Sequence, residues 1–353
     1  MPIISSKNLT LYSYNKGNSL DNYFYIKSSP KQVKNSEYIQ LHQSMGTIVS
    51  IKINVSELEG KKVAEKSIQL IDKIEQMMSF YNTSSQISHI NYKAGQSWIT
   101  VSPELFFVIE ESKRYARLTK GVFDISVAAL TALWQYYGKL EKVPPESLIE
   151  KTLKLVDYEG ILLDEDNKKV KLERKGQKIE LGGIAKGYAA NRIIELYREM
   201  GIKSGIINLG GNVSLLGSRY DGAPWGVGIQ NPNRDRDKCL GIVLLADTSV
   251  VTSGDYERFF QKGNRLFHHI LDPYTGYPAK SELRSVTVIH PDSMLADVLA
   301  TTIFILGMGK GVELIKHFGD VELIIVTDKR IYLSHNLVKK FHLIEKGFEI
   351  FQI

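Results

Sequence analysis

The second half of the chain carries short apolar runs in close succession, at residues 204–208, 213–217, 225–230 and 240–246. Several are separated by connections too short for a helical crossover. Parallel neighbours need a crossover of about a dozen residues or more, so the sheets are expected to be largely antiparallel. Further strands are expected over Ile48 to Ile53, 284–290, 322–327 and 347–352, with short strands and charged turns between Leu155 and Glu180. Helices interrupt this pattern. Ala64, Ile71, Ile74 and Met78 recur at helical spacing over roughly 59–78. Ser102-Pro103-Glu104 is a helix start, with a run to about Leu118, and Pro144-Pro145-Glu146 opens a shorter helix. Ala185, Ala189, Ile193, Leu196 and Met200 form one stripe of a helix from about Ile184 to Met200, stopped by Gly201. Two last helices are expected over about 294–306 and 309–317. The fold class is α+β, with largely antiparallel sheets and helices packed on their faces. Residues 1–38 are polar, despite a strand-like patch from Leu9 to Tyr14, and read as an extension ahead of one domain over 39–353.

Composition removes several functions. Cys239 is the only cysteine, which excludes an intramolecular disulfide, a thiolate zinc site and an iron–sulfur cluster. The net charge of +6 is dispersed, clusters such as Lys61-Lys62 and Lys339-Lys340 are short, and no stretch interleaves cations with aromatics. Nucleic acid is therefore not an expected partner. Met1 to Lys16 lacks the basic and apolar regions of an export signal and has no lipidation cysteine. No stretch approaches the ~18–20 apolar residues of a membrane span. The expectation is a cytoplasmic protein as written, or an extracytoplasmic one if a leader was removed.

Five segments and one helical pair carry chemistry. In Ala296-Asp297-Val298-Leu299-Ala300-Thr301, helical spacing stacks Asp297 and Thr301 on one face. A lone buried carboxylate is costly, so Asp297 needs a partner. Two hard oxygens on one turn suit Mg²⁺, which leaves its other positions to water and substrate phosphate. The competing reading makes Asp297 a cap of a helix beginning near Ala296, with Thr301 bonding back to a carbonyl. Leu181-Gly182-Gly183-Ile184-Ala185-Lys186-Gly187-Tyr188 leads paired glycines into a helix, where free N–H groups and Lys186 can face an anion. It matches neither a Walker loop nor a dinucleotide-binding glycine pattern, and tight helix–sheet packing is its alternative. Thr252-Ser253-Gly254-Asp255-Tyr256 and His268-His269-Ile270-Leu271-Asp272-Pro273-Tyr274-Thr275-Gly276 offer Ser253 and Thr275 hydroxyls, Asp272 and a histidine for phosphate or proton handling. Met45-Gly46-Thr47 enters a strand as a close approach or a simple turn. Tyr81, in the loop after a helix, can stack on a flat heteroaromatic ring. Phe123-Asp124 either contacts a ligand or holds its own loop.

In order and together, these segments resemble the ApbE-type FAD:protein FMN transferases, or flavin transferases, from about Met45 to Gly311. The resemblance rests on Met-Gly-Thr, Gly-x-Phe-Asp, Gly-Gly-Ile-Ala-Lys-Gly-Tyr, Asn-Leu-Gly-Gly at 208–211, Thr-Ser-Gly-Asp-Tyr, His-Ile-x-Asp-Pro-x-Thr-Gly and Ala-Asp-x-Leu-Ala-Thr. It implies FAD as substrate, Mg²⁺, release of AMP, and transfer of FMN to a Thr or Ser hydroxyl of an acceptor protein carrying Asp-x-x-[Ser/Thr]-[Gly/Ser]-Ala-Thr. It implies metal ligands at Asp297, Thr301 and the Gly183 carbonyl, with Ala300 beside them. Flavin contacts are implied at Met45, Tyr81, Phe123, Asp124, Glu180, Lys186 and Ile270, and a catalytic histidine at His269. The same pocket would also suit FAD hydrolysis to FMN and AMP, and a non-catalytic FAD-binding protein is the third reading. Three positions depart from the family pattern: Asn191 and Asn212 where Asp is common, and Ile125 where Pro is frequent. The two Asn are expected to tune the site, and Ile125 to loosen the turn after Asp124.

Overall fold

The computed structural model describes residues 37–353 except 235–237 and 264. The predicted extension and its Leu9 to Tyr14 patch lie outside the described residues, apart from Glu37 and Tyr38, which open the first strand. In chain order the elements are β1 (Glu37–Ser44), β2 (Thr47–Asn54), α1 (Glu57–Met78), α2 (Gln86–Tyr92), β3 (Ile99–Thr100), α3 (Pro103–Leu118), α4 (Ala128–Gly138) and α5 (Glu146–Leu153). Then come β4 (Ile161–Asp164), β5 (Lys169–Leu172), α6 (Ala185–Glu199), β6 (Gly205–Leu209), β7 (Asn212–Leu216), β8 (Trp225–Gln230), β9 (Cys239–Leu245) and β10 (Ser249–Gly254). The chain closes with β11 (Phe259–Lys262), β12 (Arg265–His268), β13 (Ser285–His290), α7 (Ser293–Ile315), β14 (Glu322–Val326), β15 (Arg330–Leu333), β16 (Phe341–Leu343) and β17 (Glu349–Gln352).

Nine strands form one sheet in the order β1-β2-β6-β7-β10-β13-β14-β15-β17, and only its β15–β17 edge is parallel. The α+β class and the antiparallel pairing read from the sequence are both present. Strand periodicity explains the layering, because successive side chains point to opposite faces. Ile207, Val251, Val288 and Ile325 face a large core shared with α1, α6 and α7. Their chain neighbours Ile206, Val250, Ile289 and Ile324 face a second core with Trp225 and Phe341, closed by the β16-β9-β8 sheet. Burial on both faces is why these strands read as continuous apolar runs.

Helices α6 and α7 pack on the inner face and on each other. Gly187 makes that contact possible: a Cβ there would lie 2.4 Å from the Ser293 carbonyl oxygen. Such an approach tolerates only hydrogen at the α-carbon. The cap of α7 is Asp292, whose carboxylate accepts from the Met294 and Leu295 N–H groups at 2.9 and 3.3 Å. The cap reading for Asp297 is thereby overturned. Gly307, at φ 74°, breaks α7 into the two limbs expected as separate helices. One expectation needs correction, because α7 is long and apolar enough to cross a membrane by length and composition. Here it lies in the core, against α6, β10 and β13.

A smaller third core holds Leu130, Trp134, Ile149 and Leu271, with Phe260, Phe267 and Tyr277 packed against it. The Trp134 and Phe267 rings stack at 5.8 Å, and Phe260 and Phe267 at 5.1 Å. This cluster joins α4 and α5 to the β11–β12 hairpin.

Candidate active site

Asp297 lies in the second turn of α7 and is 4% exposed. Its Oδ2 accepts the Gly187 N–H at 3.0 Å, which binds it to the first turn of α6. Burial pushes its carboxyl pKa up, opposed first by the nearby Lys186 cation and then by that N–H. The Asn212 amide also favours the charged form, although its Nδ2 makes no hydrogen bond of normal geometry. One turn later, the Thr301 hydroxyl meets Ser253 Oγ at 3.2 Å. The back-bond to a carbonyl is made instead by Thr302, to Val298 O at 2.7 Å. Gly183 sits against this group, since a Cβ there would be 3.7 Å from Thr301 Oγ1 and 3.3 Å from the Phe123 ring. Ala300, between Asp297 and Thr301, is fully buried.

The start of α6 has no side-chain cap. The Ile184 and Ala185 N–H groups both donate to Leu181 O, and that of Gly187 is taken by Asp297. Among the described residues, the N–H groups of Gly182 and Gly183 carry no hydrogen bond. The Lys186 N–H likewise carries none, so the anion-facing donors are those of Gly182, Gly183 and Lys186.

These residues also answer whether a magnesium ion would fit. A buried carboxylate in no ion pair, two hydroxyls and the Gly183 backbone come together where α6 meets α7, with Lys186 as the nearby counter-charge. Among the described residues, no three His, Cys, Asp or Glu side chains gather into a metal cage. Hard oxygen donors with few protein ligands are the ordinary setting for Mg²⁺ beside a phosphate. The donor set fits.

Across from this group stand two adjacent histidines with opposite surroundings. His268 is buried, its Nε2 donates to Ala279 O at 3.0 Å, and its Nδ1 has no partner. It is a structural residue with its ring edge on Phe304. His269 opens to solvent, and its Nδ1 lies 3.3 Å from Arg258 O. A carbonyl only accepts, so Nδ1 carries the proton and Nε2 presents its lone pair. Although solvent reaches the ring, protein crowds it. Burial first, then the Arg258 guanidinium, His268 and Lys186 hold its pKa down to about 4. His269 is neutral at physiological pH.

Glu180 accepts from the Thr131 hydroxyl at 3.0 Å, and its Oε2 would lie 3.1 Å from a Cβ on Gly182. Burial raises its pKa, against the Thr131 bond and the Arg258 charge. Ile270 is buried, with its carbonyl bonded to the Ala279 N–H at 2.9 Å. Met45 occupies the left-handed region at φ 52° in the two-residue β1–β2 turn, followed by Gly46 at φ 68°. Tyr81 is 61% exposed and bonded by Gln135.

Not every predicted residue faces this cleft. Asp124 caps the 3-10 turn Ile125–Val127, accepting from the Ser126 N–H at 2.7 Å, and burial pushes its pKa up to about 6. Asp272 and Thr275 bond each other at 3.1 Å, and Asp272 also accepts from the Tyr274 N–H at 2.9 Å. Their side chains serve their own turn. A separate recess of about 550 Å³, lined by Phe80, Asn91, Tyr92, Lys175 and Lys178 among others, contains none of the predicted residues.

A family model described as the ApbE family matches residues 45–325. The chain belongs to the ApbE family. It is 34% identical over 307 residues to a FAD:protein FMN transferase of Klebsiella pneumoniae, covering 87% of this chain and 94% of that protein. A FAD:protein FMN transferase of Treponema pallidum is 30% identical over 328 residues, covering 88% and 91%. The fold matches the crystal structure of the ApbE protein of Thermotoga maritima with TM-score 0.76 and 33% identity, over 83% of this chain and 95% of that one. It also matches the flavin transferase ApbE of Vibrio cholerae with TM-score 0.77 and 25% identity, over 86% and 98%.

The departures from the ApbE pattern have local explanations. Asn191 donates to Asp292 Oδ1 at 2.7 Å and accepts from the Ser293 N–H at 2.8 Å, so a carboxylate at 191 would face another. Asn212 accepts from Ser293 Oγ at 2.8 Å. Both amides hold the start of α7. Ile125 does not loosen its turn, which the Asp124 cap and a 2.9 Å bond from the Glu180 N–H to Ile125 O keep closed. Sequence reading missed Arg258 and Thr131. Arg258 lies in the turn two residues past the Thr252–Tyr256 segment, and Thr131 belongs to α4, which carries no motif of its own.

Proposed function

We propose that this chain, through one flavin transferase domain over 39–353, transfers the FMN part of FAD to a Ser or Thr hydroxyl of an acceptor protein. Transfer releases AMP and depends on Mg²⁺. The observation that carries this reading is the meeting of Asp297 and Thr301 with the glycine-rich start of α6, opposite a neutral histidine. Membership of the ApbE family supports the choice of substrate.

The acceptor oxygen attacks the FMN-side phosphorus, forming a phosphoester as the bond to the AMP phosphate breaks. AMP leaves with the bonding electron pair. His269 Nε2 receives the proton of the acceptor hydroxyl, a contribution of roughly 10²–10⁴-fold for a well-placed base. Lys186 and the Gly182 and Gly183 N–H groups hold diphosphate oxygens. Asp297, Thr301 and the Gly183 carbonyl would hold the Mg²⁺, which supplies positive charge to the diphosphate. Such phosphoryl chemistry asks mainly for placement and charge stabilisation.

The test incubates the chain with FAD, with Mg²⁺ or EDTA, and with or without a protein carrying Asp-x-x-[Ser/Thr]-[Gly/Ser]-Ala-Thr. Intact mass and AMP are then measured. The reading requires a mass gain on the acceptor of one FMN less one water, with AMP, only when Mg²⁺ is present. FMN and AMP appearing equally without acceptor would make the chain a hydrolase, a reaction that the solvent access to His269 allows. FAD bound with no AMP under any condition would overturn catalysis.

A further inference from the structure

Arg258, just before β11, is exposed at the cleft and makes no side-chain hydrogen bond or ion pair among the described residues. Its main chain is held firmly, because its carbonyl accepts both the His269 N–H at 3.0 Å and the His269 ring at 3.3 Å. Its side chain reaches over the β1–β2 turn, where Nη2 lies 3.7 Å from the position of a Cβ on Gly46. From there the guanidinium acts on Glu180 and on His269. An anchored backbone thus carries a two-pronged cation, in no direct ion pair among the described residues, between the Met45-Gly46 turn and the histidine. Lys186, the other cation acting on His269, belongs to α6.

We propose that Arg258 binds the phosphate groups of the flavin nucleotide, its planar guanidinium taking two phosphate oxygens on the side of the cleft opposite α6. This rests on the flavin transferase reading. Guanidinium geometry matches phosphate in two-pronged fashion, which a lysine cannot reproduce. Glu180 does not neutralise Arg258 by direct pairing; its Oε1 is bonded by Thr131 and its Oε2 lies by Gly182.

The experiment measures affinities of the full-length chain and its Arg258→Gln and Arg258→Lys variants for FAD, FMN and riboflavin, with folding checked by thermal melting. Arg258→Gln should weaken FAD and FMN binding about 10-fold or more and leave riboflavin, which has no phosphate, unchanged. Arg258→Lys should recover part of the loss. Equal weakening of all three ligands would assign Arg258 to the shape of the ring pocket and overturn the proposal, as would unchanged FAD affinity. A wild-type chain that binds none of the three would overturn the flavin reading itself, and this inference with it.

Discussion

The two sides of the cleft rest on different foundations. On one side, Asp297 and Thr301 stand on α7 where it crosses α6, above the nine-stranded sheet and inside the largest core. On the other, His269 and Arg258 hang from the ends of the β11–β12 hairpin, whose support is the small aromatic cluster around Trp134. The first side is closed to solvent at its carboxylate, whereas the second is open at both its polar groups. Close packing suits groups that must hold a fixed geometry, because dense interiors resist displacement. An open position suits a base that must meet a hydroxyl from another protein.

Substitutions should separate the two sides. Asp297→Ala is expected to abolish transfer, by roughly 10³-fold or more, comparable to losing a principal electrostatic contact. Intact-mass assays at saturating Mg²⁺ would measure it, and full retained turnover would refute the role given to this side. His269→Gln should cost roughly 10²-fold or more in turnover with an unchanged melting temperature. A large drop in melting temperature would instead make His269 a structural residue like His268. Because its pKa is held near 4, below the ordinary histidine value, the neutral base persists as pH falls through 6. The acid limb of the rate profile should therefore lie near pH 4, and a limb at 6.5 would contradict this.

Gly187→Ala tests the packing of the first side. The added methyl meets backbone at 2.4 Å, so α6 must move away from α7. A loss of about 1–3 kcal/mol in stability is expected, read by denaturant unfolding, with Mg²⁺ affinity falling alongside. An unperturbed variant would mean that the helix crossing is looser than drawn. Asp124→Asn should have the smallest effect. The folded Asp124 pKa of about 6 exceeds its ordinary value of 3.8, so the folded state binds the extra proton between them. Stability from this group is greatest in acid and declines as pH rises through that window. The Asn variant should flatten the melting temperature between pH 4 and 7 by roughly 2–4 °C. An unaltered slope would place the titration elsewhere.

Much of this arrangement was legible in the chain. The antiparallel sheet, the helix beginning after the paired glycines and the break near Gly307 followed from strand spacing, helical periodicity and glycine chemistry. Other elements carried weak local signals. Helix α4, written Ala-Ala-Leu-Thr-Ala-Leu-Trp-Gln-Tyr-Tyr-Gly, has too few polar residues to show a clear solvent face. Helix α2 is seven residues long and follows a loop it resembles. The β11–β12 hairpin is short and little buried, and its partner is the distant Trp134.

By itself, the sequence determined the fold class, the family motifs and the spacing that places Asp297 and Thr301 on one helical face. Periodicity and loop length are local properties, and residues near one another in the chain express them. Only the tertiary structure decided that Asp292 and not Asp297 caps α7, that the surroundings of His269 hold it neutral, and that Arg258 reaches the Met45-Gly46 turn. Those outcomes depend on burial and on contacts between segments far apart in the chain, which no local pattern encodes.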